Sequence, residues 1–370
     1  MPLYKAIRIL VPPAWQNIKH MDINLRAFYH YHAMHQEPWD GPAGLVMTDG
    51  QYAICALDRN GLRPARWVLT KERHLIVASE IGVYDCAPNN VAAKGRVAAG
   101  ELLVVDTENK ELLFSTDIDQ RLSTEKPYHK WLNHHLMMIR SNLRDLTHLE
   151  SPIENTAIAA YKKMFGITNE EQEKVINILA KTGKEATGSM GDDTPLAILS
   201  NKIRPLYDYF RQHFAQVTNP PIDSLREKLV MSLETYFGRE ENCFIEKEAE
   251  ANAIMVSSPI LSVSKFQHLL NLNQENYDHI IIDLNYPENT AWQEAITDIT
   301  NKALHAVQQG TVILILSDKN IRAKHLPVHA LLATSAVHQC LLKAGIRCQA
   351  NIVVATATTR DPHHFATLIG

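Results

Sequence analysis

Asp58, Arg59, Asn60, Gly61, Leu62, Arg63 and Pro64 crowd a carboxylate, two guanidinium groups and an Asn-Gly pair into one short stretch. Asn-Gly tolerates positive φ and marks a turn. Backbone N–H groups in such a turn can form an oxyanion hole or clamp an anion. The same residues also describe a rigid charged turn between two strands, with Asp58, Arg59 and Arg63 paired across it. A second stretch, residues 183–195 (GKEATGSMGDDTP), is glycine-rich enough to cradle a phosphate. It lacks the Gly-Lys-Ser/Thr ending of a phosphate loop and the GxGxxG spacing. Asp192 and Asp193 there suit either a divalent cation or the positive end of a helix dipole. Arg204, Arg211, Arg226 and Arg239 could hold an anionic cofactor, or pair with Glu227, Glu234 and Glu240 at a domain interface. Trp39, Trp67 and Tyr207 read as core or interface aromatics.

Metal and thiol chemistry find less support. The pairs His134-His135 and His363-His364 are immediate neighbours, which a helix turns to different sides, so they do not chelate as an i, i+4 pair does. Five cysteines (Cys55, Cys86, Cys243, Cys340, Cys348) contain no CxxC pair. An odd, sparse set argues against a disulfide framework or a four-thiolate zinc site and favours a reducing, cytoplasmic setting. Cys55 and Cys86 lie in or near apolar strands, where a thiol acts as a small hydrophobe.

The elements that must position these residues fall into three stretches. Up to about residue 120, short apolar runs at 45–48, 52–57, 67–70, 75–78 and 102–105 read as strands, with Asp49-Gly50 as a hairpin turn. Residues 20–36 read as a helix with Leu25, Phe28, Tyr29 and His32 on one face, and residues 7–11 as a further strand-like run. This part is α+β with antiparallel sheets. From about 120 to 250 the pattern is helical and polar. Helices are expected over 126–144, over 169–181 with Thr168 and Glu171 as a capping box, and over 192–199 with Pro195 in the first turn. Thr218-Asn219-Pro220-Pro221 stops one helix, and Asp223 or Ser224 caps the next. Beyond about 255, apolar strands at 280–284, 311–316 and 351–355 alternate with helical patterns at 290–309 and 327–344. That is the pattern of a parallel sheet in a barrel segment or a doubly wound fold. A helix begins at 361–370, and its short run, like the abrupt start, is expected of a truncated or split protein.

The chain has 370 residues and a net charge of −4. That length suggests two or three domains at roughly 150 residues each. Apolar residues at 45% and charged residues at 21% exclude a mainly disordered chain, and the charge leaves no footprint for nucleic acid. No run approaches the roughly 18 apolar residues of a membrane span.

Residues 37–43 (EPWDGPA), 58–66 (DRNGLRPAR), Ala78-Ser79-Glu80 with Gly82, residues 188–197 (GSMGDDTPLA) and residues 210–233 (FRQHFAQVTNPPIDSLREKLVMSL), with His338 and residues 363–370, carry a resemblance over nearly the whole chain. By these blocks the sequence resembles the glutamate synthase large-subunit family. A relative of the amidophosphoribosyltransferases would share the DRxGxRP turn but leaves residues 210–233 unexplained.

The resemblance implies that residues 1–125 are the later part of a class II glutamine amidotransferase α/β sandwich, 126–165 a helical linker, and 166–370 an incomplete, barrel-like central domain that carries no cofactor. It implies that the parent makes glutamate from glutamine and 2-oxoglutarate with channelled ammonia, using FMN, an iron–sulfur cluster and NADPH or ferredoxin in other parts. The family's nucleophile is an N-terminal cysteine, and here residue 1 is Met1 followed by Pro2. The family's oxyanion Asn-Gly lies upstream of this match, so Asn60-Gly61 belongs to a later turn. Acyl transfer needs nucleophile, base and oxyanion donors together. No catalytic residue is therefore expected, and the chain is expected to be inactive alone. Asp58, Arg59, Asn60, Gly61 and Arg63 are expected to form a structural turn. Thr218, Asn219 and Asn242 are candidates for lining a tunnel. Expected partners are the remaining glutamate synthase domains and a small subunit. A split subunit of an active complex and a non-catalytic binding or regulatory remnant stand as alternatives.

Overall fold

The computed structural model describes all residues except 40, 141–154, 189–193, 196, 202, 212–231 and 273–274. Its elements separate into two compact units. The first comprises Met1–Ile139, Val217–Tyr236 and Glu240–Ile260, and the second Arg140–Gln216, Phe237–Arg239 and Leu261–Gly370.

The first unit opens with α1 (Leu3–Leu10) and α2 (Ile23–Ala33), which Asp22 caps by accepting from the N–H groups of Asn24 and Leu25. The run 7–11, expected as a strand, is thus helical up to Leu10, with Val11 just past the helix end. An apolar run this short fits either period. The helix prevails because Leu3, Ile7 and Leu10 share one stripe against the core, and because Lys5 and Arg8, which no apolar strand face would tolerate, find anionic partners in the buried Glu246 and the partly exposed Asp119. In α2, Leu25, Phe28, Tyr29 and His32 are buried together, as the spacing predicts.

Strands β1 (Gly44–Thr48), β2 (Tyr52–Leu57), β3 (Arg66–Thr70), β4 (Leu75–Ala78), β5 (Val91–Arg96), β6 (Leu102–Asp106) and β7 (Glu111–Phe114) form two antiparallel sheets, β1-β2-β6-β7 and β4-β3-β5. Asp49-Gly50 closes the β1–β2 hairpin: the Asp49 carboxylate accepts from Gln51 N and Tyr52 N, and Gly50 has φ +96°. Strands β5 and β7 were not legible, since VAAKGR and ELLF lack a clean β alternation. One face of the four-stranded sheet packs Ile54, Ala56, Leu102 and Val104 onto α1, α2, α3 (Ser115–Glu125) and α4 (Tyr128–His135). The other face packs Cys55, Leu57 and Leu103 toward Ala65 and Val97.

The helix expected over 126–144 stops at His135. Leu136 leaves the helix, and β8 (Met137–Ile139) pairs in parallel with β10 (Ile254–Val256), in a small sheet that also holds β9 (Thr235–Phe237). Ladder hydrogen bonds and burial of Ile139 outweigh helix propensity there; residues 141–144 lie outside the described residues.

The second unit begins with α5 (Asn155–Met164). A continuous helical stretch follows, from α6 (Asn169–Glu171) through a π turn (Gln172–Ile176) to α7 (Asn177–Thr182). Thr168 caps it by accepting from Glu171 N at 3.0 Å. The expected helix over 192–199 does not form at its described residues: Thr194, Pro195 and residues 197–200 are turn or coil, with Ile198 and Leu199 exposed. Without a covered apolar face, a short helix lacks the packing that stabilises it.

After α8 (Val263–Leu270) come β11 (His279–Asp283), β12 (Asn285–Pro287), α9 (Trp292–Gln308), β13 (Ile313–Ser317), β14 (His325–Pro327), α10 (Ala330–Lys343), β15 (Asn351–Ala355) and α11 (Pro362–Ile369). The parallel order is β11-β13-β15, with β13 buried throughout. Leu314, Leu316 and Ile282 meet Ile299, Ala303, Ala333 and Val337 of α9 and α10. This is the βαβ packing that continuous apolar strands require. Among the described residues the parallel sheet is three strands with two open edges.

Candidate functional site

Asp58 directly follows β2, with its side chain buried. Its carboxylate accepts from Ala43 N at 3.2 Å and Asn60 N at 2.8 Å, and its carbonyl from Gly61 N at 3.1 Å and Gly100 N at 2.9 Å. Arg59 donates to the carbonyl of Trp39 at 3.0 Å, which joins the 37–43 and 58–66 blocks in space. Gly61 has φ +61°, and a Cβ there would lie 2.6 Å from the Cβ of Ala99. Arg63 is exposed, with its Cβ beside Gly44. The N–H groups of Asn60 and Gly61, the donors an oxyanion would need, are thus turned inward onto Asp58. Arg8 adds a buried clamp, donating to Gly100 O at 2.6 Å and meeting Asp119 at 3.1 Å.

Of the other candidates, Asn242 is exposed and its side-chain oxygen accepts from Phe244 N at 3.0 Å, a local turn. Thr218, Asn219, Asp223, Ser224, Arg226, Asp192 and Asp193 lie outside the described residues. Gly183 has φ +63° and ends α7, so the glycine-rich stretch opens as a helix stop. Arg204 pairs with Asp208 at 2.8 Å, and the Arg239 guanidinium donates to Gly310 O. His135 meets Glu248 at 3.1 Å, and His363 Nε2 lies 3.0 Å from the carbonyl of Tyr207. Trp67 packs on Phe114, Tyr207 is fully buried, and Trp39 is half exposed. Cys55 is buried and its thiol pKa is pushed up by burial. Among the described residues no group of three His, Cys, Asp or Glu side chains could hold a metal.

Sequence reasoning missed a polar cluster at the carboxyl ends of the parallel strands, the place where open α/β sheets take ligands. Asp318, just past β13, is buried. Burial pushes its carboxyl pKa up, against bonds from the Thr356 hydroxyl and Ala357 N. Thr356 also contacts the Thr358 hydroxyl at 2.9 Å. Arg360 grips Glu171 with two bonds, of 2.6 and 3.1 Å, so the Glu171 carboxylate serves a tertiary clamp as well as sitting in the helix start. Tyr207 shares a 2.9 Å hydrogen bond with Thr359 and stacks on His364 at 4.4 Å. Burial lowers the pKa of His364, and of His329 across the Tyr207 ring. The cluster's groups are bonded to one another, so it ties α11 and the helical stretch at 169–182 to the sheet. The signal in sequence was the run Thr356, Thr358, Thr359 and Arg360 directly after an apolar strand.

The family models fall on the chain in two blocks. Residues 1–131 match the class II glutamine amidotransferases, and residues 160–370, more than half the chain, match the glutamate synthase central domain. The chain belongs to the glutamate synthase family. A glutamate synthase [NADPH] large chain of Bacillus subtilis is 38% identical over 369 residues, covering 100% of this chain and 24% of the relative. A ferredoxin-dependent glutamate synthase of Pyropia yezoensis is 40% identical over 375 residues, covering 99% and 24%. A glutamate synthase [NADH] of Schizosaccharomyces pombe is 36% identical over 383 residues, covering 100% and 18%. The chain thus spans about a quarter or less of the length of these glutamate synthases. No described helix is long and apolar enough to cross a membrane.

Proposed function

We propose that these residues are the part of a glutamate synthase large chain that joins the later half of the amidotransferase domain to the central domain. In this reading the stretch is scaffold and conduit, and is inactive by itself. The observation that carries it is the succession of the two family matches along one chain that covers about a quarter of its relatives. Uncovered apolar side chains support it: Val46 on the edge strand β1, and Ile81, Val83 and Tyr84 after β4, are more than half exposed. The proposed division is 1–125, a 126–165 linker and 166–370, the last built as a barrel-like domain.

Asp58, Arg59, Asn60, Gly61 and Arg63 brace the amidotransferase sheet, a reading supported by the inward bonds of Asp58, Asn60 and Gly61. Thr218, Asn219 and Asn242 line the ammonia path, on the ground that polar loop ends of such domains face ligands. FMN and the iron–sulfur cluster belong to other parts of the enzyme. The five free cysteines and the described acidic and histidine residues form no donor set for a cluster. The electron donor is NADPH, NADH or ferredoxin, as the names of the relatives give it, and the setting is cytoplasmic.

The test is co-expression of this chain with the preceding and following segments of a relative's large chain. Recovery of one complex that makes glutamate from glutamine and 2-oxoglutarate supports the reading. A chain that stays alone, folded and monomeric favours a non-catalytic remnant.

A further inference from the structure

Residues 240–260 fall in the first unit, as do the described residues 232–236 before them, whereas 237–239 and 261 onward fall in the second. The stretch 240–260 lies wholly within the match to the central domain.

Its hold on the first unit is built from buried charge. The Glu246 side chain is 4% exposed, and Lys5 Nζ, itself 2% exposed, lies 2.6 and 2.7 Å from its two carboxylate oxygens. His32 Nε2 lies 3.2 Å from Glu246, and Lys126 Nζ is 3.1 Å from the same carboxylate and 2.9 Å from the Glu246 carbonyl. Lys5 also reaches Glu125 at 2.7 Å and the Tyr128 hydroxyl at 3.2 Å, and sits over the Phe28 and Tyr128 rings. One residue on, the Tyr31 hydroxyl donates to Lys247 O at 2.9 Å and accepts from Lys247 N at 3.1 Å. Ala251 and Ala253 then enter the same core as Phe28 and Tyr128, and Met137 N donates to Ala253 O at 2.9 Å.

A cation buried as deeply as Lys5 is tolerated only when its counter-charge is present and hydrogen-bonded. Among the described residues of 1–131, the one carboxylate that pairs with Lys5 is Glu125, which is 38% exposed. The carboxylate that neutralises Lys5 within the core comes from residue 246. We infer that residues 240–256 are a strap that completes the amidotransferase unit, latched into it by Glu246 on Lys5 and His32. The amidotransferase core is then finished by chain that arrives from the central-domain stretch and returns to it. Opening the latch frees the strap while leaving the parallel sheet of the second unit intact.

Hydrogen exchange of the full chain, read peptide by peptide, tests this. The comparison is wild type, Glu246→Gln, and Tyr31→Phe, with β13 as internal reference. The latch predicts slow exchange at 245–256 in wild type. Glu246→Gln should raise exchange there and in α1 by tenfold or more with β13 unchanged, and Tyr31→Phe should raise it a few-fold at 245–250. Wild-type exchange at 245–256 as fast as at the exposed residues 197–200 overturns the inference. So does equal acceleration of β13 and the strap. If Glu246→Gln does not fold, Tyr31→Phe decides: no change at 245–250 overturns it.

Discussion

Replacing Gly61 by alanine tests whether the 58–66 turn is packed as tightly as its bonds imply. Two costs arise at this position. A φ of +61° strains any residue with a Cβ, by about 1–2 kcal/mol. The new Cβ also meets Ala99 Cβ at 2.6 Å and Ala99 Cα at 2.8 Å, distances at which something must move. Overpacking of this kind costs roughly 1–3 kcal/mol. Gly50 supplies the control: its φ is +96°, but nothing lies within 4 Å of the Cβ position. Gly50→Ala therefore carries a conformational cost and no clash, whereas Gly61→Ala adds a clash of about 1–3 kcal/mol and should be the more damaging. Guanidinium denaturation followed by tryptophan fluorescence is the assay, because four of the five tryptophans, Trp15, Trp39, Trp67 and Trp131, lie in the first unit; a Trp292→Phe background removes the fifth. Equal midpoints for the two variants, or a lower one for Gly50→Ala, would refute the close packing of the turn on Ala99.

The buried cluster predicts an acid-labile first unit. Burial, with Lys5 and His35 nearby, lowers the pKa of His32 against the pull of Glu246, so its stabilising contribution is full above about pH 6.5 and lost as pH falls through the lowered value. For Glu246, burial raises the pKa, but the bonds from His32 and Lys5 outweigh it and hold the carboxyl well below its usual range. That contribution too is lost only as pH falls; Glu125, Lys126, Tyr128 and Tyr31 are the other titratable groups around it. A tryptophan-monitored Tm that drops between pH 7.5 and 5 is expected, and a flat or rising one contradicts this. Arg360→Lys removes the two-pronged grip on Glu171, whose partners are 10% and 18% exposed, and should cost about 1–3 kcal/mol in the melting of the second unit by calorimetry. Thiol titration in native buffer should label Cys243 and Cys348 quickly and Cys55 only after denaturation, since Cys55 is buried with a raised pKa.

Periodicity was sufficient where an element answers mainly to its own neighbours in sequence. The 52–57, 75–78 and 351–355 strands, the 49–50 hairpin turn and the buried face of α2 were all legible on that basis. It failed where distant chain decides the outcome. Residues 7–10 are helical because Lys5 and Arg8 meet Glu246 and Asp119, and residues 137–139 are a strand because Ile254–Val256 lies beside them. Glu246 itself carries no local mark; only the fold reveals that it neutralises a lysine 241 positions away. The turn at Asp58 was recognised from its residue types, but not that its carboxylate would be occupied by backbone N–H groups, which depends on Ala43 being brought alongside.

The most direct test of the central claim is glutamine hydrolysis by the purified 370-residue chain, measured as ammonia and glutamate release with saturating glutamine. On the proposed scaffold reading, the chain should match the buffer blank, and release glutamate only when the rest of the large chain is supplied. Turnover by the chain alone, abolished by a point change within it, would contradict the account.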